Sequence, residues 1–185
     1  KASIIKLGET LGGVLGTLVV PISYVAEWTQ RTSSFGDTHI NGAAYGNGMF
    51  VAVGYNGKLA TSPDGITWTQ RTSSFGNTYI SGVAYGNGMF VAVGYNGKLA
   101  TSPDGITWTQ RTSSFGTTHI NGAAYGNGMF VAVGDSGKLA TSPDGITWTQ
   151  RTSSFGDTDI NGVAYGGGMF VAVGYDGKLA TSPDG

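Results

Sequence analysis

The side chains of this 185-residue chain that could do chemistry recur in fours, 40 positions apart, so whatever one of them does the others are placed to repeat. One position reads His39, Tyr79, His119 and Asp159, and a second reads Asp37, Asn77, Thr117 and Asp157. Sixteen residues beyond the first stand Tyr55, Tyr95, Asp135 and Tyr175, followed by Asn56, Asn96, Ser136 and Asp176. Histidine with aspartate suggests acid–base work or a metal. Two histidines fall short of the usual zinc set, however, and no cofactor is expected. Glycoside hydrolysis needs two carboxyl groups in different surroundings, whereas near-identical repeats give symmetric ones. The two glutamates, Glu9 and Glu27, lie outside the first three strand runs of any repeat, and the four arginines (Arg31, Arg71, Arg111, Arg151) share one repeat position on the outer run. Tyrosine, histidine, asparagine and aspartate together suit the gripping of sugar hydroxyls or of a polar protein surface. The expected ligand face comprises these positions with Asn41, and a non-enzymatic role is expected.

The elements that must carry them follow from the repeat, which has to be read first. Each unit holds four short β-forming runs separated by turn signals. In the first copy these are Ile40–Tyr45, Met49–Gly54, Lys58–Thr61 and Ile66–Arg71. Gly46-Asn47-Gly48 and Asn56-Gly57 mark hairpins, and Ser62-Pro63-Asp64-Gly65 marks a turn. Four antiparallel strands in 40 residues is the size of a propeller blade. Apolar residues on both sides of Met49–Gly54 fit a sheet stacked between two others, and Gly42, Ala43 and Ala44 suit a crowded innermost strand. The loop entering the first strand and the hairpin joining the second to the third then open on one face. The last copy stops at Gly185, while Trp28-Thr29-Gln30-Arg31 reads as an outer strand without the other three. The pattern therefore predicts an all-β, four-bladed propeller over residues 27–185, closed by pairing of that N-terminal strand with the last blade. The alternative is an open arc completed by another chain.

Ser62-Pro63-Asp64-Gly65-Ile66-Thr67-Trp68 resembles the Asp-box (BNR) repeat of sialidase-like propellers, with one residue fewer between Asp and Gly, a shortened form similar to that of phage and bacterial surface propellers. It recurs at residues 102–108 and 142–148 and is split between 182–185 and Trp28. The resemblance implies a structural turn on the face away from the ligand. It gives Asp64, Asp104, Asp144 and Asp184, with Trp68, Trp108, Trp148 and Trp28, architectural roles. The sialidase set of three arginines, a Tyr–Glu nucleophile pair and an acid on different blades has no counterpart here. A calcium reading of the four aspartates is weak, since each turn brings one carboxylate.

A net charge of −1 without a basic patch excludes an electrostatic footprint for nucleic acid. Thirty-three glycines fit many tight turns, and the lack of cysteine leaves the redox compartment open. Residues 1–26 stand outside the repeat. Ile4, Leu7, Leu11, Leu15 and Leu18 recur at helical spacing, with Gly8, Gly12 and Gly16 on one side and Pro21 as a stop. This segment is expected to be a short helical stem that oligomerises or docks through residues 4–20, with membrane contact as its alternative. The expected partner is a cell-surface glycan or protein receptor, and the expected setting is extracellular or on a virion surface, such as a tail fibre or tail tip.

Overall fold

The structure is a computed structural model and describes residues 27–185. The stem or docking segment expected over residues 1–26 lies outside the described residues. Among those described, no helix is long and apolar enough to cross a membrane.

Each repeat folds into an antiparallel sheet. The first contains β1 (Ile40–Gly46), β2 (Met49–Gly54), β3 (Leu59–Ser62) and β4 (Thr69–Arg71), hydrogen-bonded in that order. The second repeats it as β5 (Ile80–Gly86), β6 (Met89–Gly94), β7 (Leu99–Ser102) and β8 (Thr109–Arg111). The third is β9 (Ile120–Gly126), β10 (Met129–Gly134), β11 (Leu139–Ser142) and β12 (Thr149–Arg151). The fourth has three strands, β13 (Ile160–Gly166), β14 (Met169–Gly174) and β15 (Leu179–Ser182).

Turn chemistry explains the bounds. Asn56 and Gly57 have φ of 55° and 64°, and Lys58 N–H donates to the Tyr55 carbonyl at 3.1 Å, which is the type I′ geometry that Asn-Gly favours. The outermost strand starts at Thr69 rather than Ile66. The Asp64 carboxylate accepts the N–H groups of Ile66 and Thr67 at 2.8 and 2.9 Å, holding both residues in the turn. In every sheet the register slips between the first and third residues of the innermost strand. Asn41 and its counterparts are thereby bulged out of the ladder, which re-aims their side chains.

The core lies between sheets. Val51, Val53 and Leu59 of the first sheet pack with Phe75, Ile80, Phe90 and Trp108, which belong to the second sheet and the segment leading into it. Val91, Val93 and Leu99 meet Phe115, Ile120, Phe130 and Trp148 in the same way. Alternate residues of β6 thus serve opposite neighbours, Phe90 and Ala92 facing the first sheet and Val91 and Val93 the third, so neither face of this inner strand is left to water. Near the inner strands the approach is closest, with a Cβ at Gly42 lying 3.5 Å from Gly82 Cα and one at Gly122 lying 3.6 Å from Gly162 Cα.

The stack does not close, which corrects the four-bladed closed ring expected from sequence. No strand runs through residues 27–39, so Trp28–Arg31 does not form the outer strand of the fourth sheet, and the Trp28 side chain is fully exposed. The end sheets also keep faces that inner sheets bury. Ile40 and Tyr45 on the first are 47% and 57% exposed, and Val173 and Leu179 on the fourth are 43% and 63% exposed. Closure depends on the rotation between successive sheets, which a residue pattern repeated at one spacing does not encode. The fourth copy also lacks a tie. Asn47, Asn87 and Asn127 each donate a side-chain amide to a proline carbonyl of the next sheet, and the fourth copy has Gly167 there.

Candidate ligand face

The hairpin tips and the loops that precede each innermost strand are tied together, as in the bond from Tyr55 N–H to the His39 carbonyl at 3.0 Å. The Ser-Pro-Asp-Gly turns gather at the other end of the strands, beside the β1–β2 type of turn, through the Asn47 bond to Pro103. The two loop sets are therefore separated by the length of the sheet.

On the first face two of the positions that differ between repeats, those of His39 and Tyr55, form one aromatic ladder. His39 stacks on Tyr55 with ring centres 4.7 Å apart, and Tyr55 lies on Tyr79 at 4.0 Å and 6°. Tyr79 meets Tyr95 at 5.1 Å, and Tyr95 stacks on His119 at 3.9 Å and 15°. The hairpin-tip ring of one sheet thus lies on the loop ring of the next. The ladder ends where Asp135 takes the tyrosine position. His119 Nδ1 is 3.5 Å from Asp135 Oδ2, Asn121 donates to Asp135 Oδ1 at 2.8 Å, and Ser136 N–H donates to Asp159 at 2.8 Å. A strip of rings across three sheets therefore passes into a polar, carboxylate-rich end.

An open hollow of ≈220 Å3 sits on this strip, lined by Asn77, Thr78, Tyr79, Tyr95 and Asn96. The ring faces are largely spent on one another, so the ladder presents edges and hydroxyls, supplemented by these amides. The other expected site residues are placed differently. Asp37, Thr117 and Asp157 occupy exposed turn positions, as does Asn56, while Tyr175 and Asp176 stand exposed at the free end of the strip. Asn41 does not reach the hollow; its amide donates to the Ile80 carbonyl of the second sheet at 2.8 Å, a bridge that Asn121 repeats to Ile160 at 3.1 Å. The variable positions of His39 and Tyr55 and their equivalents thus line one continuous, graded surface.

The opposite face is held by the aspartate turns. Asp104 Oδ1 accepts the N–H groups of Ile106 and Thr107 and the Ser102 hydroxyl at 2.8–2.9 Å. The Trp108 indole donates to the Gly105 carbonyl at 2.8 Å, and Trp148 does the same to Gly145. The Thr107 N–H above all, aided by those of its neighbours, holds the Asp104 carboxyl below the ordinary aspartate value. Asp64 and Asp144 are lowered in the same direction, with the bonds from Thr67 and Thr147 as the largest cause. Asp184 keeps its Ser182 bond at 2.9 Å. Among the described residues no three His, Cys, Asp or Glu side chains converge as a metal site would require.

Two contacts behind the ladder were missed in the sequence. Lys58, Lys98, Lys138 and Lys178 each donate Nζ to the carbonyl of Phe35, Phe75, Phe115 or Phe155 at 2.7–2.9 Å, bracing the loop that carries the variable residues. The hydroxyls of Ser113 and Ser153 donate to the Gly97 and Gly137 carbonyls at 2.6 Å. The available signal was a lysine and a serine unchanged in every copy where neighbouring loop positions vary.

No protein-family model matches the chain, and no curated protein matches it. Solved structures resemble it in fold. The computationally designed Ika4 protein superposes with a TM-score of 0.69 at 12% identity, covering 86% of this chain and all of that one. Virginiamycin B lyase from Staphylococcus aureus gives 0.66 at 14% identity, covering 83% of this chain and 58% of the lyase. YCF48 from Cyanidioschyzon merolae gives 0.62 at 19%, covering 80% of this chain and 54% of YCF48, and YCF48 also matches in a structure bound to D1 peptide. The chain thus spans little more than half of the two natural proteins. An enzyme and a peptide binder share this architecture, so it fixes no activity. The described residues have an all-β fold of repeated, propeller-like antiparallel sheets and display no obvious catalytic centre.

Proposed function

We propose that this chain is a non-enzymatic receptor-binding or adhesion module whose ligand lies along the aromatic strip from His39 to His119. The observation that carries the reading is that two of the positions at which the repeats differ, those of His39 and Tyr55, meet in one ladder with an adjoining hollow. Tyrosine hydroxyls, asparagine amides and histidine edges suit the hydroxyls of a surface glycan or a polar protein receptor. Weak contacts of this kind gain effective concentration when several copies are displayed together. The turns around Asp64, Asp104 and Asp144 are then a shortened Asp-box acting as architecture, and the setting is a surface structure such as a phage tail fibre, on a virion or outside the cell.

A glycan array together with whole host envelope tests the proposal. Binding is expected to fall at least tenfold in a chain carrying Tyr79→Ala and Tyr95→Ala. Failure of the unsubstituted protein to bind either material would overturn the adhesion reading. A second reading, a scaffold that docks protein, draws support from ring faces that are already covered, which disfavours stacking of a sugar on them. Retention of a peptide partner but of no glycan would establish it instead. Hydrolysis lost on replacing Asp37 or Asp157 would overturn both.

A further inference from the structure

The two ends of the sheet stack are complementary halves of an interface that the molecule already makes three times. At each inner junction a tyrosine ring of one sheet lies over a glycine of the preceding sheet. Cβ atoms placed on Gly46, Gly86 and Gly126 would lie 1.9–2.0 Å from the rings of Tyr85, Tyr125 and Tyr165. The corresponding parts at the ends are Gly166, with nothing within 4 Å of its Cβ position, and the exposed ring of Tyr45. Ile80, Ile120 and Ile160 are fully buried against the preceding sheet, while Ile40 is not. Leu59 and Leu99 are fully buried by the following sheet, while Leu179 is not. None of these contact residues carries a charge.

A slot at the fourth sheet makes the same point. A cavity of ≈250 Å3 is lined by Val131, Phe170, Ala172, Ala180 and Gly185, among others. The residues 80 positions earlier, including Phe90, Ala92 and Ala100, pack in one cluster with Trp108. Among the described residues the fourth sheet thus offers a tryptophan-shaped slot and an outer edge of β15 with no strand paired to it, and the chain has an exposed Trp28 followed by the same Thr-Gln-Arg sequence that forms β4, β8 and β12.

We infer that the fourth sheet of one copy receives the first sheet of a second copy, head to tail, with Tyr45 of the second copy over Gly166 and its Trp28 in the slot beside Ala172 and Ala180. The occupant is a second copy because the groups that fill this surface at the inner junctions are the ones its first sheet leaves exposed. Tyr175 would then face His39 of the second copy as Tyr95 faces His119, continuing the aromatic ladder from one copy to the next. Such a heterologous contact closes into a ring or propagates, according to the rotation between copies. The inference goes beyond the proposed adhesion role and does not depend on it.

The test is the solution mass of the full 185-residue chain by concentration-dependent ultracentrifugation. Gly166→Val blocks the tyrosine seat without an internal clash, and Tyr45→Asp blocks the other half at a residue already exposed. The unsubstituted chain is expected to associate, and each variant to raise the dissociation constant at least tenfold. A one-to-one mixture of the two variants keeps one intact surface from each and is expected to restore a two-chain species. A single-chain mass for the unsubstituted protein at every concentration would overturn the inference. So would undiminished association of either variant, or a mixture that stays single-chain while both variants keep the parent's circular dichroism and melting curve.

Discussion

The ring of Tyr125 lies so close over Gly86 that a Cβ there would come within 1.9 Å of the ring carbon Cγ. This contact, repeated at each inner junction, is what glycine at that position provides. Gly86 is not needed for a left-handed backbone, because the constraint is the space above its Cα. Gly86→Ala is expected to destabilise the fold by about 1–3 kcal/mol through overpacking. Gly166→Ala should leave the melting temperature of dilute protein unchanged. Parallel urea titrations check the contrast, and equal effects at the two glycines would contradict an open stack.

Trp148 and Trp28 come from the same repeat position and have opposite surroundings. Trp148 is buried in the cluster with Phe130 and Ala140, and its indole is satisfied by Gly145. Trp148→Ala is expected to cost about 3–5 kcal/mol in urea unfolding. Trp28→Ala is expected to change the unfolding midpoint of dilute protein by less than about 0.5 kcal/mol, as for other exposed side chains. The same substitution should weaken self-association, so stability and mass are measured on one sample.

The aspartate turns set an acid limit. Asp64, Asp104 and Asp144 have carboxyls held below the ordinary 3.8 by N–H donors that exist only in the folded turn. A folded value below the unfolded one means that their contribution is complete above the unfolded value. It is lost as the pH falls through the lower, folded values. Thermal unfolding is therefore expected to hold steady from neutrality to about pH 5 and to fall below about pH 4. A chain carrying Asn at all three positions should lose much of that slope, which melting curves between those limits would show. The bonds are short, 2.8–2.9 Å and well inside a Debye length, so added salt is expected to change the effect only slightly.

The repeat made the sheets legible: Asn56-Gly57 located a hairpin, Met49–Gly54 a strand with two buried faces, and Ser62–Gly65 a turn. The end of the story at Trp28 and Gly185 was not legible, because completing the motif across the termini presumes a rotation per sheet that residue types do not record. That the variable loop positions share one end of the strands was legible. The ladder was not, since the stacking of Tyr55 on Tyr79 joins residues of neighbouring sheets and rests on how closely those sheets approach. Asn41 sits among variable positions and is exposed, yet its amide also bridges to the second sheet. The bulge that turns it onto Ile80 arises from pairing register, which has no signature in Ile-Asn-Gly alone.

On the proposed ligand face the ladder would decide which part of a tyrosine a ligand uses. Tyr79 has Tyr55 on one side at 4.0 Å and Tyr95 on another at 5.1 Å, so its hydroxyl and ring edge remain for recognition. Tyr79→Phe preserves the stack and removes the hydroxyl. A neutral hydrogen bond contributes about 0.5–1.5 kcal/mol, so a loss of roughly two- to tenfold in affinity is expected. Tyr79→Ala would remove both stack and hydroxyl and weaken binding further. Titration of the strongest array ligand against both variants, with circular dichroism as a folding control, distinguishes the two modes. Full affinity in Tyr79→Phe would show that the ligand meets ring faces, and the strip would then have to open its ladder to bind.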